Sequence, residues 1–573
     1  MRTSATASLI LLCATRRISL VRLLASLILG AAPLIATDYY VSPNGNNRND
    51  GGFATPWKTI AKVNTKNYSP GDRIFFRGGA TFAGNLLFSE SSGTPASPIV
   101  VSSYAGTRAV ISAGKSYGMK VENGAGFYVA NINFVGSGSS NTQSGILFYT
   151  TLSGNVKLDT VHIDHVDVGG FSTGILIGGW RGLTGYRNVS ITWSTVHDNS
   201  SNGINIFGYY PVASGYPIQN VYIGHTRAYN NHGIVGAGQG TGSGIVVGNS
   251  DGVVIERSLA FNNGINNTHN GGPYGIWAWD SNHVVIQYNE SHHNHTSSAT
   301  DGGGFDLDGG VINSTLQYNY SHDNDGPGFL VCQYSGARRM NNNNTIRYNI
   351  SQNDGRKNGA AGVQLWNGGS GIKNTQIFNN TIYMSPAGTR PEALWLVTAT
   401  SNVSIRDNVF ITTGGVPLLK AASGQTGTKI QGNVYWASGA TFYIDWPSGT
   451  YTDLPTFRAA TGQEIYNNNP VGAFVDPQLS APGTGGSINN PDRLNTLSAY
   501  TPRKGSPVID TALNLLTLFG VNPGPNDFLG DAKPRGQDCD IGAVEYWAKE
   551  RDLQSEAGPA LFHPAVHGLS RCP

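Results

Sequence analysis

The segment from residue 304 to 308 reads Gly-Phe-Asp-Leu-Asp and places two carboxylates, Asp306 and Asp308, two residues apart. If this segment is a β-strand, both side chains point to the same face and their positions lie ~6.6–7 Å apart. Glycoside hydrolases use carboxyl pairs that are ~5–5.5 Å apart in retaining enzymes and ~6.5–9.5 Å apart in inverting ones. The pair is therefore a candidate centre for glycoside cleavage, with Asp280 as the reserve partner. The alternatives are a solvated strand face and a carboxyl pair that holds a cation.

Tryptophans and glutamines occupy the equivalent outward positions of neighbouring segments. Indole faces stack on the apolar faces of sugar rings, and amides hydrogen-bond to hydroxyl groups. Exposed tryptophans at this density indicate a ligand, although a long covering loop would also explain them. The predicted substrate-binding residues are Trp277, Trp279, Gln333, Gln364 and Trp366.

Asparagine recurs at a nearly fixed interval through the middle of the chain. One series follows an apolar residue and two others, with spacings of 30, 30, 31 and 28 residues, at Asn289, Asn319, Asn349, Asn380 and Asn408. A second series has spacings of 32, 32, 31, 30 and 29 residues, at Asn199, Asn231, Asn263, Asn294, Asn324 and Asn353. Such periods are typical of solenoids, in which stacked asparagines hydrogen-bond from coil to coil.

Short segments between the two series alternate apolar and other residues after a glycine, as in Gly275-Ile-Trp-Ala-Trp and Gly362-Val-Gln-Leu-Trp. Alternation over four or five residues predicts a strand. The residue after each glycine is expected to point into the core. We therefore predict an all-β parallel β-helix of roughly ten or more coils, continuous from about Gly118 to Asn408. The outward face would carry Trp277, Trp279, Asp306, Asp308, Leu330, Cys332, Gln364 and Trp366.

Both ends of the chain resemble secreted bacterial right-handed parallel β-helix proteins of the pectate-lyase-like superfamily. The N-terminal resemblance lies in residues 39–45, Tyr-Tyr-Val-Ser-Pro-Asn-Gly, and 56–61, Pro-Trp-Lys-Thr-Ile-Ala. The C-terminal resemblance lies in residues 505–510, Gly-Ser-Pro-Val-Ile-Asp, and 539–545, Cys-Asp-Ile-Gly-Ala-Val-Glu. It covers residues 38–547 and implies a right-handed parallel β-helix. Lyases and glycosidases share these ends, so the resemblance does not choose between them.

The turn region also resembles family 9 pectate lyases, in which carboxylates from adjacent coils surround a catalytic calcium. The matching residues are Asp301, Asp323 and Asp325, and carboxylate oxygens from adjacent coils suit Ca²⁺. The resemblance ends at two positions. A further calcium carboxylate is replaced by Leu330, and the catalytic lysine is replaced by Gln364, which cannot take a proton from a sugar carbon.

Four histidines, His292, His293, His295 and His322, also lie in the turns. Two histidines on adjacent coils could bind a transition metal, but none lies in the outward strand face, so the sequence gives little support to a zinc site. Turn caps beside the asparagine series are the alternative for Asp323 and Asp325.

The N-terminus reads as an export signal over residues 1–36. Basic residues precede an uncharged run of about 14 residues, from Leu23 to Ala36, which is too short to span a bilayer. An uncleaved anchor is the alternative. We expect a secreted, periplasmic or extracellular protein with an N-terminal cap and first coils at 37–117, a core at 118–435, C-terminal coils and a cap at 436–547, and a loose tail at 548–573. Cys539 could pair with Cys572 in an oxidising compartment.

Composition narrows the partners of this chain. Only 13% of the 573 residues are charged, against a usual ~25%, and the net charge of +2 comes without a long basic run. Nucleic-acid binding therefore gains no support. The leading hypothesis is a monomeric glycoside hydrolase that acts on a polysaccharide or oligosaccharide and needs no cofactor. The alternatives are a Ca²⁺-dependent lyase with Arg356 or Lys357 as base, and a non-catalytic carbohydrate-binding β-helix.

Overall fold

The computed structural model describes residues 36–89, 91–209 and 214–547, which belong to one unit beginning at Ala36. Each coil of this unit contributes one strand to each of three sheets. One coil, for example, runs through Asn282–Gln287, Glu290–His292 and Gly303–Leu307, and the chain then returns as Thr315–Gln317 beside the first of these strands. The predicted export signal, the predicted tail and Cys572 lie outside the described residues.

Each of the three sheets contains 14 strands. Sheet 1 consists of Asp38–Val41, Arg73–Arg77, Ile99–Tyr104, Phe127–Ala130, Lys157–Asp164, Gly185–Thr192, Ile218–Gly224, Ser250–Glu256, Asn282–Gln287, Thr315–Gln317, Thr345–Arg347, Gln376–Phe378, Ser404–Arg406 and Lys429–Gln431. Sheet 2 consists of Thr81–Ala83, Ala109–Gly114, Ile132–Gly136, Asp167–Gly169, Thr195–His197, Arg227–Tyr229, Leu259–Phe261, Glu290–His292, Tyr320–His322, Ile350–Gln352, Thr381–Met384, Val409–Thr413, Val434–Ser438 and Ala473–Phe474. Sheet 3 consists of Leu86–Phe88, Met119–Glu122, Ile146–Thr150, Ile175–Gly179, Ile204–Phe207, Ile245–Gly248, Tyr274–Trp279, Gly303–Leu307, Phe329–Gln333, Ala361–Asn367, Glu392–Leu396, Leu419–Ala421, Ile444–Trp446 and Gly449–Tyr451.

Helices and minor sheets make up the remaining regular structure of the described chain. The α-helices are Ile60–Val63, Leu454–Thr461 and Leu515–Phe519, and the 3₁₀ helices are Gly138–Ser140, Pro491–Thr496 and Ser498–Tyr500. Two small sheets pair Asn341–Asn342 with Ile372–Lys373, and Ile465–Tyr466 with Asn469–Pro470. None of the described helices is long and apolar enough to cross a membrane.

The core is a continuous column of aliphatic and aromatic side chains inside the three sheets. Ile276, Ala278, Phe305 and Leu307 are all completely buried, as the alternation after each glycine predicts. Phe305 stacks on Phe329 of the next coil with ring centroids 5.2 Å apart. Burying one such large side chain is worth about 1.5–3 kcal/mol, so the repeated inward positions supply the main stabilisation of the coils.

The first asparagine series forms the predicted ladder at the corner between sheets 1 and 2. Asn289 Nδ2 donates to Asn319 Oδ1 at 3.0 Å, and the same bond links every further pair through Asn408 and on to Asn433. The residue before each asparagine has a positive φ, as at Tyr288 and Tyr318. A left-handed tyrosine costs about 1–2 kcal/mol, and each ladder bond returns about 1 kcal/mol. This prediction is confirmed.

The second series also forms a ladder, between sheets 2 and 3, but its last rung differs from the prediction. The bonds run from Asn199 to Asn324 as expected. Asn324 Nδ2 then donates to Asp354 Oδ1 at 2.7 Å, so the rung is Asp354 and not Asn353. Asn353 occupies the left-handed position before it, with a φ of 54°. Asparagine suits both positions, which is why spacing alone misplaced the rung by one residue.

The C-terminal segment, residues 475–547, packs against the outer face of sheet 2 and, around Leu515, against Tyr348 and Phe378 at the edge of sheet 1. Its buried residues, among them Leu479 and Tyr500, pack against Tyr320, Ile350 and Val409 of sheet 2. At the other end, strand Asp38–Val41 already pairs with Arg73–Arg77, so the coils begin inside the predicted N-terminal region. The resemblance at both termini therefore reflects segments that are integral to the solenoid.

Candidate active site

Two columns of side chains project outward from sheet 3 across consecutive coils. Backbone pairing aligns the first column, which consists of Trp277, Asp306, Leu330, Gln364 and Trp395. The second column is displaced by two residues along each strand and contains Asp308 beside Cys332, which pairs with Trp366. The predicted outward orientation of these residues is thus correct. Leu330 and Cys332 are nevertheless buried, at 4% and 9% exposure, because neighbouring outward side chains cover them.

These columns form the floor of a cavity of about 360 Å³. Turns between sheets 2 and 3 supply one wall, and outward aromatic side chains supply the rest. The cavity is lined by Asn270, Gly271, Gly272, Tyr274, Trp277, Ala299, Thr300, Asp301, Asp306, Asp308, Pro327, Leu330, Cys332, Tyr334, Asn358, Ala360, Gln364, Trp366, Trp395 and Val397. Three carboxylates therefore share one aromatic cavity.

Asp301 lies in the turn before strand Gly303–Leu307 and is partly exposed. Its carboxylate accepts hydrogen bonds from the backbone N–H of Gly272 at 2.8 Å and from the Tyr274 hydroxyl at 3.0 Å. Burial raises the pKa of Asp301 to about 6, against the opposing effect of these donors and with a further increase from Asp308. The group therefore changes protonation in the mildly acidic range.

Asp306 lies on the strand itself and is only 2% exposed. Its Oδ1 has no hydrogen-bond partner in the described structure. Burial raises the pKa of Asp306 well above its usual value, and the nearby charges of Asp308 and Asp301 raise it further. These effects favour the protonated, neutral form of Asp306.

Asp308 follows the strand and is partly exposed. Its Oδ1 accepts the backbone N–H of Gly309 at 2.6 Å, and the Cys332 thiol donates to the same carboxylate. Burial raises the pKa of Asp308, and these two donors oppose the increase. Burial also raises the pKa of Cys332 well above its usual value, so the thiol stays protonated and acts as a donor.

Indole and amide groups surround the carboxylates. The Trp277 Nε1–H donates to Ser243 Oγ at 3.0 Å, which fixes the indole beside Asp306. Trp366 is 37% exposed and pairs with Cys332 across the sheet. Gln364 Oε1 accepts the backbone N–H of Ala361 at 3.3 Å, which leaves its amide N–H₂ as a donor. Such surfaces can stack on a sugar ring and hydrogen-bond to its hydroxyls.

Three of the predicted catalytic and substrate-binding residues lie outside the cavity. Asp280 is 1% exposed and forms an ion pair with Arg339 at 2.8 Å. Gln333 is fully buried and binds a surface loop through Ser370 Oγ at 2.7 Å. Trp279 lies on the second column one coil before Asp308, over the backbone of Gly248. Alternation correctly predicted the strand face of Trp279 but could not show where the cavity ends.

The three carboxylates of the predicted calcium set do not form one of the described groups whose ligand atoms all lie within 4.8 Å of one another. Asp301 points to Gly272 and Tyr274, whereas Asp323 Oδ2 contacts His322 Nδ1 at 2.9 Å. Asp325 Oδ2 accepts the backbone N–H of Thr296 at 3.0 Å. The backbones of these turns are close, but each carboxylate faces a separate set of donors.

The two candidate lyase bases also lie outside the cavity. Arg356 donates to the backbone oxygen of Ser385 at 2.8 Å, and Lys357 Nζ contacts the backbone oxygen of Thr296. The described residues that line the cavity include neither lysine nor arginine. A uronate carboxylate would therefore meet three acidic groups and no compensating cation.

Histidines cluster on sheet 2. Among the described residues, two groups have three potential metal-ligand atoms within 4.8 Å of one another: Glu290, His292 and His322, and His293, His322 and Asp323. His292 stacks on His322 with ring centroids 4.7 Å apart. His292 and His322 are strand residues of sheet 2, so the prediction that they lie in turns is wrong for these two. The cluster lies on a different sheet from the cavity.

Sequence reasoning missed several lining residues. Tyr274 precedes the Gly275 phrase by one residue, and its role as a donor to Asp301 depends on the turn of the next coil. Trp395 lies on strand Glu392–Leu396, which lacks the initial glycine. The alternation of that strand, in which Leu394 and Leu396 are buried, would have identified Trp395 as an outward residue.

A family model described as a right handed beta helix region matches residues 240–410, which include all three cavity carboxylates. This match and the three sheets, whose strands pair in parallel except for the last pair of sheet 3, confirm the predicted fold, a right-handed parallel β-helix, and the resemblance to that class of proteins. A lacto-N-biosidase from Bifidobacterium longum subsp. longum is 25% identical to this chain, with 89% of this chain aligned. The chain spans 36% of the length of that relative.

Solved structures resemble the chain at lower identity. The glycoside hydrolase family 136 lacto-N-biosidase from Eubacterium ramulus has a TM-score of 0.49 and 18% identity, covering 71% of this chain and 68% of that structure. The pectate lyase Pel9A has a TM-score of 0.40 and 16% identity, covering 89% of this chain and 96% of that structure. Both likenesses concern the fold.

Proposed function

We propose that this chain is a glycoside hydrolase that cleaves a neutral oligosaccharide or polysaccharide in the sheet 3 cavity. The observation that carries the proposal is the grouping of Asp301, Asp306 and Asp308 among indole side chains, with no basic residue in the described lining. Acidic groups beside aromatic faces suit glycoside cleavage. The lacto-N-biosidase relative supports the same reaction class.

Asp301 is proposed as the general acid. A group that donates and later retakes a proton works best with a pKa near the working pH, and the pKa of Asp301 is about 6. Asp308, which accepts hydrogen bonds from Gly309 and Cys332, is proposed as the ionised partner that acts as base or nucleophile.

Asp306, a member of the pair predicted from sequence, is proposed to stay protonated and not to transfer its proton in the reaction. Its pKa lies well above the usual range, and its side chain is almost fully buried. Such a group resists giving up its proton, so it suits hydrogen bonding to the substrate better than proton transfer.

The location of the protein, its independence of a metal ion and its oligomeric state are also proposed. The uncharged run after three arginines supports export to the periplasm or the extracellular space. Asp301 and Asp308 already accept hydrogen bonds from protein donors, which supports a reaction without a resident metal ion. We propose a monomer, which sedimentation would test.

A glycan panel tests the proposal. Arabinoxylan, galactomannan, xyloglucan, arabinogalactan, polygalacturonate and substrates of lacto-N-biosidase would be incubated with the full chain. Products would be analysed for new reducing ends and for unsaturated ends. New reducing ends without unsaturation are expected from a neutral member of the panel. Unsaturated products would favour a lyase, and the absence of any product would favour a binding protein.

A further inference from the structure

The second outward column of sheet 3 continues for several coils before the cavity. Pairing aligns Tyr149 with Gly178, Gly178 with Phe207, and Gly248 with Trp279. Aromatic residues and glycines thus alternate from coil to coil on the face that also carries Asp308. We call Tyr149, Phe207 and Trp279 the aromatic track.

The glycines determine how the rings lie. A Cβ atom at Gly178 would lie 2.7 Å from Cζ of Phe207, so the phenyl ring covers the backbone of the preceding coil. The indole of Trp279 covers Gly248 in the same way. Each of these rings therefore lies over a glycine on the outer face of sheet 3. Aromatic faces are surfaces on which pyranose rings stack.

Trp180 extends this surface at its edge. It is 54% exposed, and its ring centroid lies 6.2 Å from that of Phe207 and 6.5 Å from that of Tyr149. Exposed and partly exposed aromatic side chains that adjoin one another, as Trp180, Phe207 and Tyr149 do, are typical of ligand-binding surfaces. Between Tyr149 and Trp279 the paired positions of this column carry no charged side chain. The surface therefore suits a neutral ligand.

The track leads into the cavity. Neighbouring strands in a sheet are ~4.8 Å apart. This spacing places Phe207 ~14 Å and Tyr149 ~24 Å from strand Gly303–Leu307, which ends next to Asp308. One coil advances by about the length of one sugar residue, so successive rings could contact successive parts of one chain.

We infer that the aromatic track and Trp180 bind the part of a neutral glycan chain that extends from the cavity over the preceding coils. The inference depends on the proposed function and refines it: the substrate is a chain with several sugars on one side of the cleaved bond. A disaccharide derivative would fill the cavity and leave the track empty.

Substrate length provides the test. The substrates would be a long and a short oligosaccharide of whichever neutral glycan the panel identifies. Phe207→Ala and Trp180→Ala should each lower kcat/KM for the long substrate about tenfold more than for the short one. Trp193→Ala is the matched control, because Trp193 is 51% exposed but follows a strand of sheet 1. Equal losses on both substrates, or no loss on either, would overturn the inference.

Gly178→Ala is a second variant that keeps every aromatic residue. The new Cβ would displace the Phe207 ring, while the φ of Gly178 lies outside the left-handed region and accepts alanine. It should reproduce the length-dependent loss of Phe207→Ala. If the ratio of kcat/KM for the long substrate to kcat/KM for the short one is unchanged, the position of the Phe207 ring over Gly178 has no role in binding.

Binding separates this inference from the proposed function. Affinity electrophoresis of Asp308→Asn in gels that contain arabinoxylan, galactomannan, xyloglucan or arabinogalactan should show retardation that Phe207→Ala abolishes. Retardation of this kind without hydrolysis by the parent would refute the hydrolase and leave the track supported. Hydrolysis without dependence on length would refute the track alone.

Discussion

Sheets 2 and 3 each carry a buried carboxyl group on the outer face, but the two groups differ in their hydrogen-bond partners. On sheet 2, the buried Glu290 accepts hydrogen bonds from the backbone N–H groups of Ile488 and Asn489, each at 2.6 Å. Both donors belong to the C-terminal segment that covers this sheet. On sheet 3, Asp306 is nearly as buried, yet its Oδ1 has no partner in the described structure.

The difference indicates how one solenoid separates stability from function. A buried carboxylate that accepts two backbone donors stabilises the fold and is unavailable to a ligand. A buried carboxyl oxygen without a hydrogen-bond partner destabilises the fold, and a ligand can supply the missing partner. An outward side chain therefore serves the fold when another part of the chain covers it, and it is available for function when none does.

The largest expected effect is the loss of activity when a proposed catalytic carboxylate of the sheet 3 cavity is removed. Asp308→Asn and Asp301→Asn should each lower kcat/KM by about 10²- to 10⁴-fold, because each removes a group proposed to transfer a proton or to act as base or nucleophile. Asp306→Asn should have a smaller effect. Initial rates on the panel substrate would be measured, with Asp251→Asn on sheet 1 as the control. If Asp306→Asn is as damaging as Asp308→Asn while Asp301→Asn is harmless, the pair predicted from sequence is the correct one.

Substitution of the buried carboxyl group should lower the stability of the protein on sheet 2 but not on sheet 3. Glu290→Gln turns an amide N–H₂ towards backbone donors and should lower the free energy of unfolding by about 1–3 kcal/mol. Asp306→Asn should cause no such loss. Chemical denaturation monitored by circular dichroism would compare the two variants. A Glu290→Gln protein as stable as its parent would show that the C-terminal segment is held without this contact.

The pH dependence of stability should differ in Asp306→Asn. Burial first, and then Asp308, raise the pKa of Asp306 in the folded state. Its stabilising contribution is present below the unfolded pKa of about 3.9 and is lost as the pH rises through the folded pKa. Asparagine lacks this loss, so the Tm of the variant should rise relative to the parent between pH 4 and pH 8. A constant Tm difference would contradict the raised pKa.

The smallest expected effect is a shift of the pH–rate profile in Tyr274→Phe. The Tyr274 hydroxyl donates to the Asp301 carboxylate at 3.0 Å and favours its ionised form. Its removal should raise the pKa of Asp301, so that the loss of kcat/KM at high pH occurs at a higher pH. Tyr320→Phe on sheet 2 is the matched control, because that buried hydroxyl has no partner in the described chain. A basic limb that stays in place would argue against Asp301 as the acid.

Repetition made the fold predictable from the sequence. Each coil must bury the same inward positions and place asparagine at the same corners. The period and the alternation were therefore sufficient to predict the strands, the asparagine ladders and which side chains point outward. The prediction failed where one residue type fits two adjacent positions, as at Asn353 and Asp354. It also placed the first coils and the C-terminal segment only coarsely, because contacts such as that between Glu290 and Asn489 join residues 199 positions apart.

The sequence by itself determined that Asp306, Asp308, Trp277 and Trp366 face outward from one sheet, because alternation in a strand follows from backbone geometry. Only the tertiary structure decided which outward residues share a cavity. Asp280 lies outside the cavity, where it pairs with Arg339, whereas Asp301 lines the cavity and accepts a hydrogen bond from Tyr274 of the preceding coil. The physical reason is that a partner which binds or covers a side chain comes from another coil, and local periodicity carries no information about that partner.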